Sequence, residues 1–311
     1  MWTRKILPFS VLYFLAVFLT SCSPKQNIPS PQLEDALLWE ITNPDNDSRS
    51  YLFGTIHMIP KDMYFWPDIY EEKFKSTEQV AFEINMNDLD ATSLFSIMDQ
   101  ALMKENTTIK DLVSEEEYTK IENYFSDMGI PFVFMEKLKP FFLYTFITMD
   151  ISNIDQEDIK SYELELIEKT RDYDQVIFGL ESIEYQLSIF DSIPYQQQAD
   201  LLVDAVEASD ITNKKGNNDD NILFDTYIRQ DLNEIYNMIL QGDTITQQYQ
   251  DLLLDKRNQN WIPKIIELTS NAPTFVAVGA GHLPGEMGVI NLLRKAGLDV
   301  SPIKAKPYGT H

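Results

Sequence analysis

The chain has 311 residues, 44% of them apolar, a globular composition large enough for one big domain or two small ones. It carries 49 acidic against 25 basic side chains, a net charge of −24. That surface repels nucleic-acid phosphates and anionic lipid, so nucleic-acid binding is excluded as a function.

Arg4 and Lys5 precede an apolar run from Ile6 to Leu19. The run is short for a transmembrane helix and has the length of a signal-peptide core. It ends Leu19-Thr20-Ser21-Cys22, which looks like a bacterial lipoprotein signal. On that reading residues 1–21 are removed and Cys22 is lipidated, so the protein is exported and anchored to the membrane of the cell envelope. Ser23, not Asp, follows the cysteine, which points to the outer rather than the inner membrane. An ordinary signal peptide and a transmembrane anchor are the alternatives. Cys22 is the only cysteine, so no internal disulfide forms. Pro24, Pro29 and Pro31 make residues 22–33 an extended tether, with one domain expected over 34–311.

Leu37–Thr42 and Ser50–Gly54 read as strands joined by the turn cluster Asn43–Asp47, a hairpin that ends at His57. Pro67–Lys75 reads as a helix and Gln79–Ile84 as a short apolar strand. From Leu89 to Tyr173 the apolar spacing is mostly helical, with Ser114-Glu115-Glu116-Glu117 opening one helix as a capping box. Within it, Phe132–Phe146 is strongly apolar and reads as a buried helix or a lid. Gln175–Gly179 is a further strand, followed by a helix over Ile183–Asp204 and an exposed polar loop over Ala208–Asn221. Single helices are predicted over Ile222–Gln241 and Leu252–Leu268. Thr274–Gly279 reads as the last central strand, then come a helix over Pro284–Ala296, closed by Gly297, and a final strand over Leu298–Ile303. The predicted class is α/β (α+β): a central mixed β-sheet with a large helical insertion and flanking helices.

Two stretches stand out: Tyr51-Leu52-Phe53-Gly54-Thr55-Ile56-His57 and Phe275-Val276-Ala277-Val278-Gly279-Ala280-Gly281-His282. Each is an apolar strand that reaches a glycine and delivers a histidine three residues later. The chain has three histidines, and the third is its last residue. Glycine permits positive φ and close backbone approach, so Gly54 and Gly279 are expected to let the chain turn off the strand end. Two other strands deliver Glu83 and Glu181. Ligand sites of open α/β sheets lie outside the carboxyl ends of the strands. If these four strands are neighbours, two imidazoles and two carboxylates converge there. His57, His282 and Glu83 would suit manganese, cobalt or zinc. A further carboxylate would move protons, and Arg257 would hold an anion or position a carboxylate. Taken singly, each residue also has a plain structural reading as a packed, solvated or ion-paired side chain.

The sequence resembles the TraB/GumN family, which is related to the TIKI metalloproteases. The resemblance rests on Leu52–His57, Phe82-Glu83-Ile84-Asn85, Gly179-Leu180-Glu181-Ser182 with Gln186, Asp255-Lys256-Arg257-Asn258, and Val278–Gly285 with Gly288 and Leu293. It implies a mixed α/β core with a metal-dependent site in which His57, His282 and Glu83 are ligands and Glu181 and Arg257 catalytic or supporting groups. In the TIKI branch such a site cleaves peptides with manganese or cobalt. The chain departs from the family pattern at Ser182, where threonine is frequent, and at Ser161-Tyr162-Glu163, where Gly-x-Asp is common. Two functions follow: a metal-dependent, peptidase-like hydrolase acting on a peptide or protein, or a non-catalytic lipoprotein that sequesters a peptide signal, haem or metal.

Overall fold

The computed structural model describes residues 31–44, 48–88, 91–148, 159–212, 219–242 and 244–306. The segments expected to be signal peptide and lipidated Cys22, most of the tether, part of the first turn cluster, and His311 lie outside them.

The described residues form eight strands: β1 (Leu38–Thr42), β2 (Arg49–Thr55), β3 (Ile59–Pro60), β4 (Gln79–Ile84), β5 (Ile159–Lys160), β6 (Val176–Glu181), β7 (Thr274–Gly279) and β8 (Asp299–Ile303). Six make one sheet in the order β6-β4-β7-β2-β1-β8, and β3 pairs with β5. The four strands β6, β4, β7 and β2 run parallel. β1 pairs antiparallel with both β2 and β8, which makes the sheet mixed as expected. The composition of β7, Thr-Phe-Val-Ala-Val-Gly, explains its place in the middle. Parallel strands are covered on both faces and read as unbroken apolar runs, and every residue of β7 before Gly279 is buried. β6 is an edge strand and leaves Val176 exposed.

The helices are α1 (Asp68–Lys75), α2 (Ala91–Ala101), α3 (Glu115–Asp127), α4 (Pro140–Thr148), α5 (Tyr162–Asp172), α6 (Ile183–Ile189), α7 (Tyr195–Thr212), α8 (Asp219–Ile228), α9 (Leu232–Leu240), α10 (Thr244–Gln250), α11 (Lys256–Asn271) and α12 (Val289–Lys295). The sheet and the helices against it share one core, built around Trp39, Phe53, Tyr70, Phe74, Trp261 and Phe275. A separate core is built where the insertion between β4 and β6 meets α7: Ile109, Phe125, Phe132 and Leu143 pack with Leu202. Among the described residues no helix is long and apolar enough to cross a membrane.

Several predicted boundaries shift, each for a local reason. The helix expected over Ile183–Asp204 is two, α6 and α7, broken by a 3-10 turn at Phe190–Ser192 that leads to Pro194. Proline has no N–H to continue the helical bonds and biases the preceding residue away from helix. The polar stretch from Ala208 is no loop at its start, because α7 runs on to Thr212, and α8 begins at Asp219. The helix expected over Ile222–Gln241 breaks at Gln230, whose φ of 63° is left-handed, and Asp231 then caps α9 by accepting from the Glu234 N–H. The last helix starts only at Val289, because the chain turns over Pro284–Met287 and Gly285 has φ 97°. The Phe132–Phe146 stretch divides into a 3-10 turn (Phe132–Phe134) and α4: Phe132 and Leu143 are core, while Val133 and Phe134 are exposed.

Candidate active site

β6, β4, β7 and β2 are sheet neighbours and point the same way, so their carboxyl ends form one edge. Glu83 lies within β4, Glu181 is the last residue of β6, and His282 ends the 3-10 turn that follows β7. His57 follows β2 by two residues. The fifth group, Arg257, comes from the first turn of α11, which packs against β6 and β7.

The guanidinium is the centre of the cluster. Its Nη2 donates to Glu83 Oε2 and to Glu181 Oε1, both at 2.6 Å, and its Nε donates to Glu181 Oε1 at 3.0 Å. Nη1 donates to the Leu253 carbonyl at 3.2 Å and stands 3.2 Å from His282 Nε2. The ring of Trp261 lies 4.9 Å from the guanidinium carbon and donates its indole N–H to Glu181 Oε2 at 2.9 Å. Arg257, Asn258 and Trp261 recur at helical spacing on the buried stripe of α11, followed by Ile265 and Leu268. One helix face therefore delivers the cation, the indole and an amide to the same point. All three side chains are buried, as is His282.

Glu83 has donors on both oxygens. Oε1 accepts from the Gly279 N–H at 2.8 Å, and Oε2 accepts from Gln186 Nε2 at 3.3 Å besides Arg257. Burial acts to raise its carboxyl, yet His282, Arg257, His57 and the Gly279 N–H together hold it down at about 2. Glu181 goes the other way: burial raises it above its ordinary value, against the bonds from Arg257 and Trp261. Two carboxylates on one cation are thus driven apart by their surroundings.

The two histidines differ more. His282 Nδ1 is 2.7 Å from Asn258 Oδ1, and Asn258 Nδ2 donates to the Met287 carbonyl at 2.9 Å and to that of His282 at 3.3 Å. The amide is oriented by those two carbonyls, so Oδ1 accepts and His282 carries its proton on Nδ1. Its Nε2 keeps the lone pair and lies 3.9 Å from Glu83 Oε1. Burial drives the imidazole down to about 3, so it is neutral at pH 7. His57 is 65% exposed and sits against Glu163 of α5, Nδ1 to Oε1, at 3.2 Å. That hydrogen bond raises His57 to about 8. Glu163 is fixed in turn by Thr55 Oγ1 at 2.7 Å and Ser161 Oγ at 3.1 Å.

The predicted residues therefore fall into two groups. Glu83, Glu181, Arg257 and His282 form one bonded cluster, while His57 is held beside it through Glu163. The motif glycines also differ. A Cβ on Gly54 would come within 3.1 Å of the Ala280 Cα, so glycine is needed there for close approach and not for positive φ. A Cβ on Gly279 would meet Glu83 Oε1 at 3.4 Å, and what Gly279 contributes is its N–H. Glu163, Asn258, Trp261 and Gln186 were not singled out by their types. The polar residues on the apolar stripe of α11 were the available signal for two of them.

The donors suit a divalent transition metal in kind. Each histidine has Nδ1 against an oxygen acceptor, the arrangement that turns Nε2 towards a metal, and a carboxylate stands beside His282. Among the described residues, however, no group of three or more His, Cys, Asp or Glu side chains is arranged to hold a metal ion. Arg257 supplies positive charge at the place where Glu83, Glu181 and His282 meet.

The sequence model of the TraB/PrgY/gumN family matches residues 37–302. The chain is also similar to the metalloprotease TIKI1 of Danio rerio, 23% identical over 330 residues, covering 89% of this chain and 64% of that protein. The chain thus spans about 64% of the length of this curated relative. No solved structure matches.

Proposed function

This chain belongs to the TraB/PrgY/gumN family, and on that premise we propose that it is a metal-dependent hydrolase of peptide-like substrates, tethered to the cell envelope through lipid on Cys22. The observation that carries the reading is the convergence of four adjacent parallel strands on one edge, where Glu181, Glu83 and His282 gather around Arg257 and His57, paired with Glu163, stands beside them. The similarity to a metalloprotease supports the reaction class.

His57, Glu83 and His282 would hold the metal, and manganese, cobalt and zinc all suit a set of two imidazoles and one carboxylate. When bound, it would supply Lewis acidity towards a substrate carbonyl. The protein groups have separable tasks. Asn258 keeps the proton of His282 on Nδ1, and Glu163 does the same for His57. Glu83 stays ionised at neutral pH, which suits a ligand better than a proton carrier. Glu181, raised by burial, is the carboxyl suited to take and return a proton. Arg257 would neutralise negative charge that develops on a substrate oxygen.

A second reading is favoured by one feature: Arg257 already satisfies both carboxylates. On that reading the protein binds and sequesters a peptide signal, haem or metal without turnover. Elemental analysis of the protein purified without a histidine tag, beside His57→Ala/His282→Ala, followed by a peptide-library cleavage screen, separates the two. Near-stoichiometric metal and cleavage that both vanish in the double variant support the hydrolase. Cleavage that survives the double variant refutes it, and binding without cleavage supports sequestration.

A further inference from the structure

Arg257 is held more firmly than a charge pair alone requires. Glu181 Oε1 accepts from both Nε and Nη2, Trp261 stacks on the guanidinium, and the Leu253 carbonyl takes Nη1. Leu253 belongs to a π-helical turn, Asp251–Asp255, directly before α11, in which the Lys256 N–H reaches back five residues to the Asp251 carbonyl. Such turns are rare and cluster at functional sites. Here the turn leaves a carbonyl in reach of a side chain one helical turn further on.

The remaining two contacts of the guanidinium are of another kind. Nη2 holds Glu83 Oε2 at 2.6 Å, and Nη1 stands 3.2 Å from His282 Nε2. Because Nδ1 of His282 bears the proton, Nε2 is its one lone-pair nitrogen, and it accepts from Arg257. A metal ligated by His282 and Glu83 needs the same nitrogen and the same carboxylate. A guanidinium and a divalent cation at this distance also repel each other, with little water between them to screen the charges.

We infer that Arg257 is a competing cation built into the site: it occupies the metal-facing nitrogen of His282 and shares the carboxylate of Glu83, so metal enters only as the guanidinium retracts onto Glu181. The inference rests on the reading above that His57, Glu83 and His282 form the metal site. Glu181, Trp261 and Leu253 would keep the retracted arginine beside the site, available to substrate and not lost to solvent.

The test is Co2+ affinity, by equilibrium dialysis with visible absorption to report imidazole ligation, on the full chain without a histidine tag. Wild type is compared with Arg257→Gln, with His282→Ala, and with Arg257→Gln/Glu181→Gln. The double variant removes the cation together with one of its anions, so it loses less stability than the single change. Removing one unit of positive charge within a few ångströms of the metal is expected to tighten Co2+ at least about tenfold in Arg257→Gln. In the double variant, where the lost Glu181 charge offsets that gain, Co2+ is expected to bind more tightly than in wild type by a smaller factor, through the freed His282 Nε2 and Glu83 carboxylate. Equal or weaker binding in the folded arginine variants, with wild-type binding abolished by His282→Ala, overturns the competition and leaves the metal site standing. Absence of Co2+ from every folded variant overturns both the competition and the metal reading.

Discussion

Glu83 Oε2 accepts a hydrogen bond of 2.6 Å from Arg257 Nη2, joining β4 to α11 across 174 positions of sequence. The same nitrogen holds Glu181 at the end of β6. The ion triad therefore ties a long helix to two parallel strands, and its removal is a structural event as well as a chemical one.

Arg257→Met is expected to lower stability by about 3–5 kcal/mol, because two carboxylates are left in a buried site without their cation. The change is read by urea denaturation at pH 7. Arg257→Met/Glu181→Met restores part of the loss, since one of the stranded charges goes with the arginine. A single variant as stable as wild type would contradict the triad.

The His57–Glu163 pair gives a pH signature with a definite sign. His57 is raised from its ordinary 6.5 to about 8, so the folded state binds its proton more tightly than the unfolded chain. The stabilisation is complete below pH 6.5 and disappears as pH rises through 8. Glu163→Gln should therefore destabilise the protein at pH 6 and have little effect at pH 9. In the same variant the NMR titration of His57 should move from about 8 back towards its ordinary value. An unchanged midpoint would disprove the pairing.

Gly54→Ala places a methyl 3.1 Å from both the Ala280 Cα and the Leu283 Cδ2. Backbone cannot yield as a side chain can, and the expected loss is about 1–3 kcal/mol. Gly279→Ala meets only ordinary contacts and should cost less. Thermal unfolding of the two variants side by side checks the order, which is reversed if the glycines serve backbone freedom at Gly279 instead.

Asn258→Ala removes the acceptor that holds the Nδ1 proton of His282. If His282 ligates a metal, affinity should fall about 10–100-fold, the range seen when such outer partners of a ligand are lost. Metal titration of Asn258→Ala beside wild type reads the effect. Unchanged affinity would mean that His282 is no ligand or that its tautomer is held elsewhere.

The sheet was legible because its strands are chemically plain. β7 is apolar at almost every position, β2 and β4 nearly so, and each ends where a glycine or a charged residue begins. Local chemistry also marked the Ser114 cap and Gly297, whose φ of 95° needs glycine. The breaks at Pro194 and Gln230 were harder. An apolar periodicity persists across both, and only the first carries a residue type that forbids helix.

The candidate site was legible as types at strand ends but not as contacts. Composition and spacing determine that two histidines follow matched apolar strands, that two glutamates end two others, and that an arginine opens an amphipathic helix. Strand order is a tertiary matter: whether β6, β4, β7 and β2 lie side by side depends on packing between distant segments, β2 and β7 pairing Tyr51 with Phe275, which local periodicity does not encode. So does the pairing of charges. Glu163 looks like an ordinary helix-start acid until Thr55 and His57 are brought to it, and Arg257 looks like a surface cation until burial makes two carboxylates its partners. The sequence alone determined which groups are available at the sheet edge. Only the folded chain decided that the two histidines lie in opposite electrostatic settings, one exposed and raised by a carboxylate, the other buried, neutral and facing a guanidinium, because desolvation and charge act through space and not along the chain.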